Sequence, residues 1–128
     1  MIVALDSTVL IDVLRGRIPT LRLLAEMTNR GEQLATSSMN IAEVYAGLRQ
    51  GEEEETTAFL DGLLTFPVTF AIARNAGLIK MRFARKGRTV SLDDMIVAAT
   101  AMEHDLVLLT GNRKDFDGID GLHLFPEF

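Results

Sequence analysis

Residues 91–112 read SLDDMIVAATAMEHDLVLLTGN, and the fold class turns on this stretch. Ser91 followed three residues later by Asp94 has the spacing of a capping-box-like helix start. Met95 to Met102 has the small, apolar composition of a buried helix. Leu106-Val107-Leu108-Leu109 is then the clearest strand of the chain, ending in Thr110-Gly111-Asn112. A buried helix that feeds an apolar strand is the pattern of a parallel sheet covered on both faces.

The rest of the chain repeats that alternation. Ile2-Val3-Ala4-Leu5 reads as a buried strand ending at Asp6. Ser7-Thr8 can cap a helix whose Val9, Leu10, Val13 and Leu14 recur at helical spacing up to Gly16. A second helix runs from Pro19, an acceptable first helical residue, through Leu21, Leu23, Leu24 and Met27 to Gly31. Gln33 to Thr36 is a further strand, and Ser37-Ser38 offers an N-cap for a helix from Met39 to about Arg49. The acidic run at Glu52 opens another helix with Ala58, Phe59, Leu63 and Leu64 on its apolar side. Phe66 to Thr69 is extended, Ala71 to about Lys86 is a long helix, Gly87 to Val90 links it to residue 91, and Leu122 to Phe125 is an edge strand. The expectation is an α/β fold with a central, mainly parallel sheet. Its functional crevice lies beyond the carboxyl ends of the strands, where Asp6 and Thr110–Asn112 fall.

A chain of 128 residues without repeat, low-complexity segment or linker reads as a single domain, 1–128. No cysteine is present, which excludes disulfides and thiolate sites and suits a reducing compartment. No apolar run approaches the roughly 20 residues of a membrane span, and no basic region precedes Ile2 as in a signal peptide, so a soluble cytoplasmic protein is expected. The net charge of −5 argues against bulk attraction to nucleic acid. Its distribution differs: between Asp61 and Asp93 there is no acid, and six of the 13 basic residues (Arg74, Lys80, Arg82, Arg85, Lys86 and Arg88) fall there.

Three acids stand in apolar settings. Asp6 closes a strand, Glu43 lies within Ile41-Ala42-Glu43-Val44-Tyr45, and Asp94 precedes a buried helix. On a helix Asn40, Glu43 and Gly47 share a face, and a glycine inside a helix costs about 1 kcal/mol relative to alanine, so Gly47 invites a reason. Asp94 shares a face with Val97, Ala98 and Ala101, whereas Asp93 points about 100° away and reads as a solvated capping acid. Each acid also has a plain role, as a turn acid, an exposed helix glutamate or a complement to a helix dipole. Carboxylates gathered together repel unless a cation lies between them. All-oxygen ligands suit a hard divalent cation such as Mg²⁺ or Mn²⁺, which can activate water and stabilise charge on a phosphodiester.

Four blocks in order, IVALDSTVLID, SSMNIAEVYAGL, DMIVAATA and LLTGNRKDF, resemble the PIN-domain ribonucleases, specifically the VapC-type toxins of type II toxin–antitoxin modules. The resemblance covers essentially the whole chain. It implies a PIN-like three-layer α/β/α fold and a Mg²⁺-dependent endoribonuclease site, with Mn²⁺ as an alternative ion. Asp6 and Asp94 would be the principal metal ligands, and Glu43 would contribute directly or through water. Asn112 stands where many relatives have a fourth acid, and its amide oxygen can still ligate the metal or hold a metal-bound water but supplies no charge. Asp115 would then provide the missing carboxylate, while Thr110 and Ser7 would orient the site by hydrogen bonding. Arg82, Arg85, Lys86 and Arg88 fit an RNA-backbone surface. A cognate antitoxin and a homodimer are implied as well. His104, His123, Phe116 and Arg15 read as structural. The rival classes are a phosphoacceptor signalling domain, a haloacid-dehalogenase-type phosphatase and a non-enzymatic module with capping acids. Asp6-Ser7-Thr8-Val9 lacks the second acid that the first two would want.

Overall fold

The computed structural model describes residues 1–126. In chain order the elements are β1 (Ile2–Leu5), α1 (Ser7–Leu14), α2 (Ile18–Asn29), β2 (Gln33–Ser37), α3 (Ser38–Ala46), α4 (Glu53–Asp61), β3 (Leu64–Phe66), α5 (Phe70–Arg85), α6 (Leu92–Glu103), β4 (Val107–Leu109), a 3-10 helix (Arg113–Phe116) and β5 (His123–Leu124). The five strands form one sheet in the order β3-β2-β1-β4-β5, and every neighbouring pair is parallel.

The strand order fixes where the helices go. The chain moves outward from β1 to β2 to β3, then returns across the sheet to β4 and β5 on the other side of β1. Right-handed crossovers place the helices of these two movements on opposite faces. Accordingly, Val3 and Leu5 of β1 and Leu109 of β4 pack with Val9 and Leu10 of α1, Leu24 and Met27 of α2 and Leu60 of α4. Ala4 and Leu108, pointing the other way, pack with Val97, Ala98 and Ala101 of α6 and with Phe116. The alternation of Val3, Ala4 and Leu5 follows from the two-residue period of a strand. Helix α5 lies outside α6, burying Ile72 and Ala76 against Met95, Ile96 and Ala99. The small residues of α6 allow it to be buried between α5 and the sheet. The order reverses between β1 and β4, so the crevice at their carboxyl ends is the place where a ligand fits such a sheet.

Two helices end earlier than their sequences predict. The helix expected to reach Arg49 stops at Ala46, with the Gly47 N–H donating to the Glu43 and Val44 carbonyls. Gly47 is therefore a C-terminal cap and not an interior glycine. Leu63 and Leu64 do not extend α4, because Leu64–Phe66 pairs with Ala35–Ser37 of β2. A run of ladder hydrogen bonds outweighs the helical spacing there. The extended segment expected at Phe66–Thr69 thus begins two residues sooner, and Thr69 caps α5 through its side chain. No helix among the described residues is long and apolar enough to cross a membrane.

Candidate active site

Asp6 follows β1 directly and is 2 % exposed. Its carboxylate caps α1, with Oδ1 accepting the Val9 N–H at 3.2 Å. The Thr8 hydroxyl donates to Oδ1 at 2.6 Å, and the Thr110 hydroxyl, at the end of β4, donates to Oδ2. Each hydroxyl is fixed in turn: Thr8 Oγ1 accepts the Gly111 N–H at 3.1 Å and Thr110 Oγ1 the Asn112 N–H at 3.0 Å. A Cβ at Gly111 would stand 3.4 Å from Thr8 Oγ1, so glycine suits this close approach of backbone to hydroxyl. The ends of the two central strands thus hold one carboxylate by both oxygens. Burial pushes the Asp6 carboxyl above the ordinary aspartate range, and the hydrogen bonds from Thr110, Thr8 and Val9 pull partly against it.

Glu43 reaches the same end of the sheet from α3. Its Oε1 accepts the Ser7 hydroxyl at 2.7 Å and lies 3.4 Å from Asn40 Nδ2. Asn40, 2 % exposed, also donates to Ser7 Oγ at 2.9 Å and accepts the Ser37 hydroxyl at 2.7 Å on its Oδ1. Its neutral amide therefore aligns Ser7 and Glu43 together. Burial raises the Glu43 carboxyl, the Ser7 hydroxyl lowers it, and the adjacent Asp93 carboxyl and the Asp94 charge raise it again. Asp94 opens α6, where the Ser91 hydroxyl caps the helix by accepting the Asp94 N–H at 3.1 Å. Burial raises the Asp94 carboxyl, Ser91 lowers it, and the charges of Asp115, Asp6 and Asp93 raise it further.

Asp93 is exposed in the first turn of α6, as a solvated helix-start acid should be, and its carboxyl also acts on Glu43. Asn112 presents its backbone N–H to Thr110, and its carbonyl accepts the Asp115 N–H at 2.9 Å, which starts the 3-10 helix that carries Asp115.

The acids at this end of the sheet offer only oxygen donors, the kind that a hard cation takes. The ion pairs among the described residues join Arg15 to Glu52 at 2.7 Å and Arg17 to Asp12 at 3.6 Å, and neither touches the cluster. As they stand, no three of the described acidic or histidine side chains form a closed ligand set. Asp6 and Glu43 are bonded instead to Thr8, Thr110 and Ser7. Asp6 still keeps a lone pair on Oδ2 beyond the three hydrogen bonds its carboxylate accepts. Thr110→Val should lower any turnover that depends on Asp6 about tenfold or more, the usual scale for losing a group that orients a site carboxylate by hydrogen bonding. Initial rates of the folded variant would show it.

The PIN domain family model matches residues 3–122. The chain belongs to the PIN-domain family. Ribonuclease VapC19 of Mycobacterium tuberculosis is 37 % identical over 112 residues, covering 88 % of this chain and 90 % of the relative. Among solved structures, a toxin–antitoxin complex from Klebsiella pneumoniae aligns with TM-score 0.80 at 28 % identity, covering 98 % of each chain. A promoter-DNA-bound VapBC2 from Rickettsia felis aligns at 0.83 and 21 % identity, covering 98 % of each, which speaks for the fold.

In this PIN domain the basic stretch divides in two. Arg82, Arg85 and Lys86 are exposed at the C-terminal end of α5. Arg82 and Lys86, with Arg74, border a groove of about 510 Å³ floored by Leu78, Ile79 and Met102. Arg88, expected with them as an RNA contact, is already engaged. Its guanidinium lies 4.3 Å over the Phe83 ring and donates to backbone carbonyls of the 114–117 segment. His104 stacks on Phe66 with ring centroids 4.2 Å apart, and Phe116 is core. Asn40, Thr8 and Asp93 escaped the sequence reading as site residues. Only Asn40 left a signal there, one turn ahead of Glu43 on the same face.

Proposed function

We propose that this chain is an endoribonuclease toxin of the VapC type, hydrolysing RNA phosphodiesters and neutralised by a cognate antitoxin. The observation that carries the proposal is that Thr8 and Thr110 hold Asp6, and Ser7 and Asn40 hold Glu43, at the carboxyl end of the sheet. There the charges of Asp93, Asp94 and Asp115 act on Glu43 or on one another, and none of the five acids is ion-paired among the described residues. Repulsion of this kind is tolerated in folded proteins where a cation relieves it or the chemistry uses it. The relative at 37 % identity is named a ribonuclease, and the structure at 28 % identity is a toxin–antitoxin complex; both support the reading.

Asp6 and Asp94 would hold Mg²⁺, or Mn²⁺, with Glu43 directly or through water, and Asn112 and Asp115 at the rim. Such an ion supplies Lewis-acid stabilisation of the phosphodiester and eases deprotonation of a water. The chain's own part is orientation. Thr8 and Thr110 set both oxygens of Asp6, while Ser7 and Asn40 set Glu43 toward the same opening. Water attacks phosphorus in line, the P–O bond to the leaving ribose oxygen breaks, and that oxygen takes up a proton. Arg82, Arg85 and Lys86 would neutralise backbone phosphates beside the site. The antitoxin would bind across this opening, and the protein would act in the cytoplasm as a homodimer. A phosphoacceptor role fits poorly, because Asp6 is buried and both its oxygens already accept hydrogen bonds.

Sequencing the 5′ ends of cellular RNA after induction tests the proposal. Wild type should create defined new ends that co-expressed antitoxin suppresses. An RNA profile identical to that of uninduced cells would overturn it.

A further inference from the structure

Arg88 lies in the turn between α5 and α6, three residues before the Ser91 cap. One guanidinium nitrogen, Nη2, donates to the Lys114 carbonyl at 3.1 Å and to the Asp115 carbonyl at 3.3 Å, and Nη1 donates to the Asp117 carbonyl. The Phe83 ring backs the planar group at 4.3 Å. These carbonyls lie at the C-terminal end of the 3-10 helix Arg113–Phe116, where the Lys114 carbonyl also accepts the Asp117 N–H and the group carries the negative end of the dipole. Gly118, at φ +78°, turns the chain away directly afterwards, and a Cβ there would stand 3.4 Å from Arg88 Nη1. The same 3-10 helix packs on α6 through Phe116, which meets Val97, Ala98 and Ala101. Asp115 and Asp94 are thus carried by segments joined twice, by Phe116 packed on α6 and by Arg88 of the turn that precedes α6.

We propose that Arg88 is a positioning residue that clamps the 114–117 carbonyls and so holds Asp115 beside Asp94, and that it is not a phosphate contact. The inference rests on the nuclease reading above and adds to it a residue distant in sequence from every acid but the α6 pair. A planar fork backed by an aromatic ring can serve several carbonyls at once, whereas a lysine ammonium is a compact charge on a flexible stem. Charge and geometry can therefore be separated. A phosphate-binding role would largely survive Arg88→Lys, and a clamp would not.

The test measures Mn²⁺ affinity of the RNA-free protein by electron paramagnetic resonance, and RNA affinity against salt in EDTA. R88K should weaken Mn²⁺ binding about tenfold or more, the scale for groups that orient metal ligands, with an unchanged salt slope for RNA. Asp115→Asn should show a comparable loss, and the R88K/D115N double variant little more than either alone, because coupled residues are not additive. Wild-type Mn²⁺ affinity in folded R88K would overturn the clamp. So would strictly additive losses, or an Arg88→Ala salt slope lowered by about one, the mark of a lost phosphate contact. A wild type that neither binds Mn²⁺ nor cleaves RNA would overturn the nuclease reading itself, and this role with it. A wild type that does both while R88K behaves identically would overturn the clamp alone.

Discussion

Asp6→Asn is expected to reduce RNA cleavage at least about a hundredfold, the scale for removing one preorganised electrostatic contact, while the protein stays folded. The fold should survive because asparagine is as good an N-cap as aspartate, and its amide oxygen can still accept from Val9 N–H and the Thr8 hydroxyl. The amide nitrogen would meet Thr110 Oγ1, which can accept it at the cost of the hydroxyl's own acceptor, a loss of about 1 kcal/mol. Relief of a buried charge works in the opposite direction. The variant therefore separates the two roles of Asp6, since the helix cap persists and the charge at the strand ends does not. Circular dichroism and initial rates on one preparation would show it. Retained cleavage in a folded variant would remove Asp6 from the mechanism.

Asp94→Asn should lower cleavage on a similar scale yet raise the melting temperature of the metal-free protein at neutral pH. Burial, and then the charges of Asp115, Asp6 and Asp93, hold the folded carboxyl above its ordinary value, with Ser91 opposing. For a carboxyl raised on folding, the native state binds the proton more tightly than the unfolded chain. Its stabilising contribution is complete below the unfolded value near 4 and is lost as pH rises through the raised folded value. At neutral pH the metal-free wild type carries this deficit and the amide variant does not. Melts in EDTA should therefore favour D94N at neutral pH, with the advantage vanishing below about pH 4. Added Mg²⁺ should raise the wild-type melting temperature more than that of D94N. A D94N protein less stable than wild type at neutral pH in EDTA would contradict this picture.

Much of the architecture was legible because it follows from short-range pattern. Ile2–Leu5 ending in Asp6 and Leu106–Leu109 ending in Thr110 carry the two central strands, and their ends define the crevice. The small, apolar run from Met95 to Ala101 marked a helix buried on both sides, and all seven of its residues are buried. The failures have a common cause in tertiary pairing. Leu64 has helical spacing but joins β2, and Gly47, which reads as interior to a helix reaching Arg49, caps α3 instead.

At the candidate site, the acids were visible as charges in apolar surroundings, but their supports were not. Asn40 and Ser7 meet across 33 residues, and Thr110 reaches Asp6 across 104. No local period connects such pairs. Asp93 reads from the sequence as a solvated capping acid, and its effect on Glu43 comes from tertiary placement. Arg88 looked like one more cation in a basic run until the carbonyls of a segment 26 to 29 residues later met its guanidinium.

Cleavage of RNA by the purified protein, stripped of metal and then resupplied, decides whether the acids of the site act through a cation. Asp6, Glu43 and Asp94 are argued to work only with a divalent cation between them. The stripped wild type should leave RNA intact, and millimolar Mg²⁺ should restore endonucleolytic cutting that Asp6→Asn lacks under the same conditions. Cutting that persists undiminished in EDTA, or that Asp6→Asn performs equally well, would contradict the account.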